Sequence, residues 1–129
     1  KIIAEVIKMN KIRLEKHEDI LIVYFSGEMD SLNVLNYRNV LASEIESHVY
    51  KVVLMDFNGV TFMDSSGIGL VLGRYNQIKE EGGTLYLTGL NKMSYRLFDL
   101  TGLFKIIHYI QDKEEILIKA GEVYESNEN

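Results

Sequence analysis

Three adjacent side chains, Asp64, Ser65 and Ser66, are the residues of this chain best placed to do chemistry. They stand in the stretch Phe62-Met63-Asp64-Ser65-Ser66-Gly67-Ile68-Gly69. A strand-like run, Val52 to Phe57, precedes it, and a run of helical period (Ile68, Val71, Leu72, Tyr75, Ile78) follows. Two hydroxyls thus open a helix, where unpaired backbone N–H groups point outward and favour an anion. Such a place suits a switch, because a serine that accepts a phosphate changes the local charge by about −1.5 to −2.

Other chemistries fit the same residues poorly. A serine hydrolase places its nucleophile in G-x-S-x-G at a strand-to-helix turn. Here Met63 stands two before Ser65, Asp64 two before Ser66 and Ile68 two after it, so neither serine matches. The three histidines are isolated in sequence: His17 in a predicted hairpin turn, His48 at a helix end and His108 on the polar face of a strand. Dinucleotide binding uses G-x-G-x-x-G. Gly67-Ile68-Gly69 begins like it, but the third glycine, Gly73, comes one residue late. Gly69 and Gly73 share one stripe of the helix, which lets another backbone approach closely. The domain's own sheet is the favoured neighbour and a partner protein the alternative. The aspartates are spread out with no metal-loop spacing, so no metal or cofactor is expected. Asp112 reads as a helix cap.

Asp and Ser are also the preferred residues just before a helix, so the trio could be a cap and nothing more. Three capping residues in a row exceed that need. Met63 and Leu70 fall outside the helical stripe, and Leu70 is expected to be exposed for a partner. On the residues alone, cap and docking loop both stand.

The elements that must position this loop follow from the pattern around it. Lys11–Lys16 and Ile20–Phe25 read as a β-hairpin about His17-Glu18-Asp19. Asp30 or Ser31 caps a helix to about Ser47, with Val34, Leu35, Leu41 and Ile45 inward and Tyr37 at the margin. Tyr50–Phe57 is a continuous apolar strand of the kind buried on both faces. Asn58-Gly59 signals a turn, and Gly82-Gly83 stops the second helix. A strand at Thr84–Leu87, a helix at Asn91–Leu100, a strand at Lys105–Ile110 and a helix from Asp112 to about Ala120 complete the order. Strands alternating with helices predict an α/β fold with a largely parallel sheet.

The 129 residues suffice for one domain, and 47% hydrophobic with 26% charged is ordinary globular composition. A net charge of −5 with scattered lysines and arginines argues against nucleic acid. Without cysteine there is no thiol chemistry or disulfide, and no run approaches the roughly 18 apolar residues of a membrane span. A soluble cytoplasmic protein is expected. Residues 1–9 read as an N-terminal extension, with two readings open: Met9 is the initiator and residues 1–8 were added in cloning, or Lys1 to Lys8 are native. Residues 10–120 are read as the domain and 121–129 as a polar tail.

The chain resembles the STAS-domain anti-sigma factor antagonists of bacteria, most closely the sporulation type. The resemblance rests on Phe25-Ser26-Gly27-Glu28-Met29-Asp30, on Phe62 to Gly69 running into Leu72-Gly73-Arg74-Tyr75, on Gly82-Gly83, and on Arg96 to Ile107. It covers roughly residues 10 to 120. It implies a mixed sheet, mostly parallel with an antiparallel N-terminal strand, and about four helices. It also implies a non-enzyme that binds an ATP-dependent anti-sigma factor serine kinase and so releases a sigma factor. On the same resemblance, phosphorylation of Ser65 would switch binding off, and a PP2C-like phosphatase would restore it. Ser66 would then cap the helix and Asp64 position the loop. The expected partner surface comprises Asp30, Ser31, Met63, Asp64, Ser66, Gly67, Ile68 and Leu70, with neither nucleic acid nor membrane. The alternative within the family is an interaction, ligand-sensing or scaffold module that phosphorylation does not control.

Overall fold

Apolar residues on alternate positions of three long strands decide where the two faces of the sheet go. The computed structural model describes residues 5–9 and 11–116. Its strands are β1 (Glu5–Met9), β2 (Ile12–His17), β3 (Ile20–Met29), β4 (Val52–Met63), β5 (Thr84–Thr88) and β6 (His108–Tyr109). They form one sheet in the order β1-β2-β3-β4-β5-β6. The β1–β2 and β2–β3 pairs are antiparallel, and the pairs from β3 to β6 are parallel. The helices are α1 (Ser31–Ser47), α2 (Ser65–Glu80) and α3 (Lys92–Thr101), followed by a 3-10 turn at Leu103–Lys105. A further helical turn begins at Glu114–Ile116, and the rest of the predicted last helix lies outside the described residues.

Leu21, Val23 and Phe25 of β3 and Val53, Met55 and Phe57 of β4 face α1 and α2 and make the main core. The intervening Ile20, Ile22 and Leu54 join Ile116 in a smaller cluster on the opposite face. Burial on both faces explains the unbroken apolar runs of these strands.

Several boundaries depart from the sequence reading. Asn58-Gly59 is no turn: β4 runs through it to Met63, and β3 likewise continues past Phe25 to Met29. The register slips at two places, so β4 takes two more residues than β3 over the same length. A glycine beside a short polar residue marks a bulge as readily as a turn. A Cβ at Gly59 would lie 2.9 Å from the Phe25 carbonyl oxygen, so the close strand approach needs glycine there. In α1, Tyr37 is buried and Leu35 is about half exposed, the reverse of expectation. The predicted strand Lys105–Ile110 shrinks to His108–Tyr109, because Gly102 in the left-handed region turns the chain into the 3-10 segment.

Candidate docking site at two helix starts

Register brings two similar turns together. Met29 of β3 pairs with Met63 of β4, and each is followed by Asp-Ser at the start of a helix. Adjacent strands are about 4.8 Å apart, so the starts of α1 and α2 sit side by side. The Asp64 N–H donates to the Met29 carbonyl at 3.3 Å and ties one turn to the other.

In both turns the aspartate is the cap. Asp30 Oδ1 accepts from the Asn33 N–H at 2.9 Å, and Asp64 Oδ1 from the Ser66 N–H at 2.8 Å. Ser66 therefore does not cap α2, contrary to the sequence expectation; it lies inside the first turn, half-buried. Asp64 occupies the extended backbone that an N-cap requires, which leaves its serines in the helix. Ser65 and Ser31 are the first residues of their helices, and both are exposed. Neither hydroxyl has a hydrogen-bond partner among the described residues.

Behind these turns, α1 and α2 leave a shallow cavity of about 330 Å³ lined by Ser31, Leu35, Arg38, Ser66 and Gly69. Val34 and Leu70 form its floor. Leu32 is 77% and Leu35 49% exposed, an apolar lip on α1 beside the cavity. On α2, a Cβ placed at Gly69 or Gly73 would meet nothing within 4 Å. The small-residue stripe thus does not serve close packing on the chain's own sheet, the favoured reading above; it is open. Farther along, the Arg74 guanidinium donates to the Arg38 carbonyl at 3.4 Å. Burial, and then the nearby Arg38 charge, push its pKa down.

Three residues expected on the partner surface are instead buried. Leu70 is 1% exposed and packs in the main core, so its expected exposure is wrong. Met63 is buried as well, and it lies against Gly67, where a Cβ would come within 2.6 Å of Met63 Cγ. Gly67 is itself buried, making room for Met63 rather than for a visitor. Asp30, Ser31, Asp64, Ser66 and Ile68 retain at least partial exposure at this end of the molecule. Leu32, Leu35 and Arg38, which the sequence reading did not single out as candidates, stand exposed at the same end. The signal was a second apolar stripe on α1, Leu32 and Leu35, displaced by about 100° round the helix from Val34, Tyr37, Leu41 and Ile45.

None of the histidines approaches the serines as a base. His17 Nε2 lies 2.9 Å from Glu15 Oε1, within hydrogen-bond distance. His48 caps the C-terminus of α1 beside Glu44, and His108 stacks on Tyr86. No cluster of three or more metal-ligating side chains occurs among the described residues. Within those residues no helix is long and apolar enough to cross a membrane.

A mixed sheet backed by two parallel helices, with an acid-serine turn at each helix start, defines a class. Residues 11–116 match the STAS domain, and the chain belongs to that family. Within it, the chain is 36% identical over 97 residues to the anti-sigma F factor antagonist of Paenibacillus polymyxa, covering 75% of this chain and 83% of that protein. It is 35% identical over 96 residues to the anti-sigma-B factor antagonist of Bacillus subtilis, covering 73% and 84%. Its fold matches the anti-sigma factor antagonist SpoIIAA in its unphosphorylated form with a TM-score of 0.74 and 26% identity, over 85% of this chain and 96% of that one. The phosphorylated form of SpoIIAA from Bacillus matches with a TM-score of 0.67 over 81% and 96%. The chain is thus a STAS-domain member of the anti-sigma factor antagonist family.

Proposed function

We propose that this protein is an anti-sigma factor antagonist switched by phosphorylation of Ser65. Its unphosphorylated form docks on an ATP-dependent anti-sigma factor serine kinase, and the kinase gives up its sigma factor. The kinase then phosphorylates Ser65 and the complex parts, until a PP2C-like phosphatase removes the phosphate. The observation that carries this reading is the Ser65 hydroxyl: exposed, unpartnered among the described residues, and first in α2 at the rim of the open groove. The antagonist relatives, and the match to SpoIIAA in both phosphorylation states, support it.

The transfer asks little of this chain. Ser65 Oγ forms a bond to the γ-phosphorus of ATP, the bond to the leaving ADP oxygen breaks, and the hydroxyl proton passes to a base on the kinase. Positioning and charge stabilisation belong to the kinase and its Mg²⁺. Asp64 is committed to the cap, so it holds the loop rather than taking the proton. Leu32, Leu35 and the open Gly69 face supply apolar contact, with Asp30, Ser31, Ser66 and Ile68 around Ser65. A phosphate among these groups would be desolvated in the docked interface next to Asp64.

Incubation with ATP and the anti-sigma factor kinase of its own genome should add one phosphate, mapped to Ser65. Ser65→Ala should remain unmodified and bind the kinase persistently, whereas Ser65→Asp should bind weakly. Phosphate still incorporated into the Ala variant would overturn the site. An unchanged mass of the wild-type protein, with a stable complex nonetheless formed, would overturn the switch.

A further inference from the structure

On the sheet face turned away from α1 and α2, one row of register partners is polar. Lys8 pairs with Arg13, Arg13 with Tyr24, Tyr24 with Asp56, and Asp56 with Thr88. The row crosses five strands, and the same face farther back is the apolar cluster of Ile20, Ile22 and Leu54. Lys11 joins from the turn before β2. Lys113 arrives from the segment beyond β6, its Nζ 3.3 Å from the Tyr24 hydroxyl and 3.8 Å from Asp56 Oδ2. These six side chains (Lys8, Lys11, Arg13, Tyr24, Asp56, Lys113) line a cavity of about 400 Å³.

The charges in this cavity do not balance. Asp56 is buried, and its Oδ1 accepts from the Asn58 N–H at 2.8 Å and the Asn58 amide at 2.9 Å. Gly89 keeps Asn58 in place: a Cβ there would lie 2.5 Å from the Asn58 amide nitrogen. Arg13 donates to Glu15 at 3.1 Å and lies over the Tyr24 ring, 3.9 Å from its centroid. Two carboxylates therefore answer four cations. Lys8 and Lys11 have no carboxylate partner among the described residues. Lys8 also stands directly opposite Arg13 across the β1–β2 pair, and like charges so placed destabilise a sheet. In a chain of net charge −5 such an excess is a local construction rather than an average property. Lys113 stays charged: burial works to lower its pKa, but the Tyr24 hydroxyl and the Asp56 and Glu15 carboxylates outweigh it.

We propose that this cavity binds the phosphate group of a small phosphorylated molecule, held by Lys8, Lys11 and Arg13 and backed by Lys113. The two unanswered positive charges match a phosphate dianion, and the volume falls in the range of small-ligand sites. Along β4 the row lies about 20 Å from the start of α2 and on the other side of the sheet. This binding therefore does not depend on the phosphorylation reading.

The test is an NMR titration of the full chain with inorganic phosphate and with glycerol phosphate, using sodium chloride at matched ionic strength as control. Both phosphates should shift the amides of Arg13, Tyr24, Asn58 and Lys113, and leave Ser65 to Gly69 in place. Lys8→Glu/Lys11→Glu should lose about tenfold or more in affinity, whereas Lys79→Glu/Lys92→Glu should bind like wild type. Both pairs are exposed lysines, so a retained amide pattern verifies the fold of each variant. Equal shifts in chloride, undiminished affinity in the first double variant, or shifts confined to α2 would each overturn the proposal.

Discussion

Replacing Asp64 by alanine separates the structural work of the acid-serine turn from its proposed chemistry. In the structure Asp64 Oδ1 holds the Ser66 N–H at 2.8 Å, and the aspartate backbone is extended. Removing that oxygen leaves one helix-terminal donor to water, which costs about 1 kcal/mol and at most about 2. For a domain of this size, 1 kcal/mol corresponds to a drop in Tm of about 3–5 °C. Asp64→Asn keeps an oxygen at the same place and should recover most of the loss. Ser66→Ala removes a hydroxyl that caps nothing, so it should stay within about 0.5 kcal/mol of wild type. Differential scanning fluorimetry with urea melts would read all three. The reasoning is refuted if Ser66→Ala is the more destabilising change, since the serine would then be the cap. The same set tests the chemistry. Asp64→Asn cannot take a proton at pH 7, yet it should be phosphorylated at near the wild-type rate if the base lies on the kinase.

Other positions give sharp outcomes. Gly69→Ala fills open space within a helix and should stabilise the protein by about 0.5–1 kcal/mol, seen as a higher Tm; a lower Tm would mean the groove is closed in solution. Gly82 and Gly89 share a left-handed backbone, at φ +81° and +78°, but only Gly89 is crowded, its notional Cβ lying 2.7 Å from the Asn58 backbone nitrogen. Gly82→Ala should therefore cost about 1–2 kcal/mol in urea melts and Gly89→Ala clearly more. Burial first, and then the hydrogen bond it donates to Glu44 at 2.6 Å, raise the Tyr50 pKa above the ordinary phenol value. The unfolded chain gives up that proton first, so this stabilisation is whole below pH about 10 and fades as pH rises beyond it. Tyr50→Phe should flatten that part of the alkaline decline in a pH series of urea melts.

The order of elements could be read from the chain because each switch of period is punctuated. Asp30, Asn91 and the Gly82-Gly83 pair fall at the helix ends they announce. The phase of α2 could not be read so surely. Glycines at 67, 69 and 73 leave gaps in its apolar pattern, so the stripe Ile68-Val71-Leu72-Tyr75-Ile78 and the stripe Gly67-Leu70-Val71-Ile78, which share Val71 and Ile78, fit almost equally well. Only packing against Met63 and α1 selects the second, which turns Leu70 inward and Leu72 out. Asn58-Gly59 misled for a related reason: a bulge and a turn ask the same of their residues, and the partner strand decides between them. The cationic row was invisible altogether. Its members lie on different strands as well as before β2 and beyond β6, and pairing alone assembles them.

The proposed switch requires that one modification abolish docking while sparing the fold, and the energies here separate those demands. Leu70, Val71 and Ile78 anchor α2 in the main core, and each contributes about 1.5–3 kcal/mol by burial. A phosphate at the helix start gains about 0.3–1 kcal/mol from the helix dipole, partly offset by the neighbouring Asp64 charge. That sum is small against the anchors, so α2 stays in place. At an interface the comparison reverses, because a loss of about 2.7 kcal/mol already weakens binding a hundredfold. Burying a dianion beside a carboxylate readily costs that much. The turn can therefore act through charge alone, without moving the helix it begins. The proposed switch would rest on Met63, Gly67 and Leu70, which lie buried beneath the exposed serine.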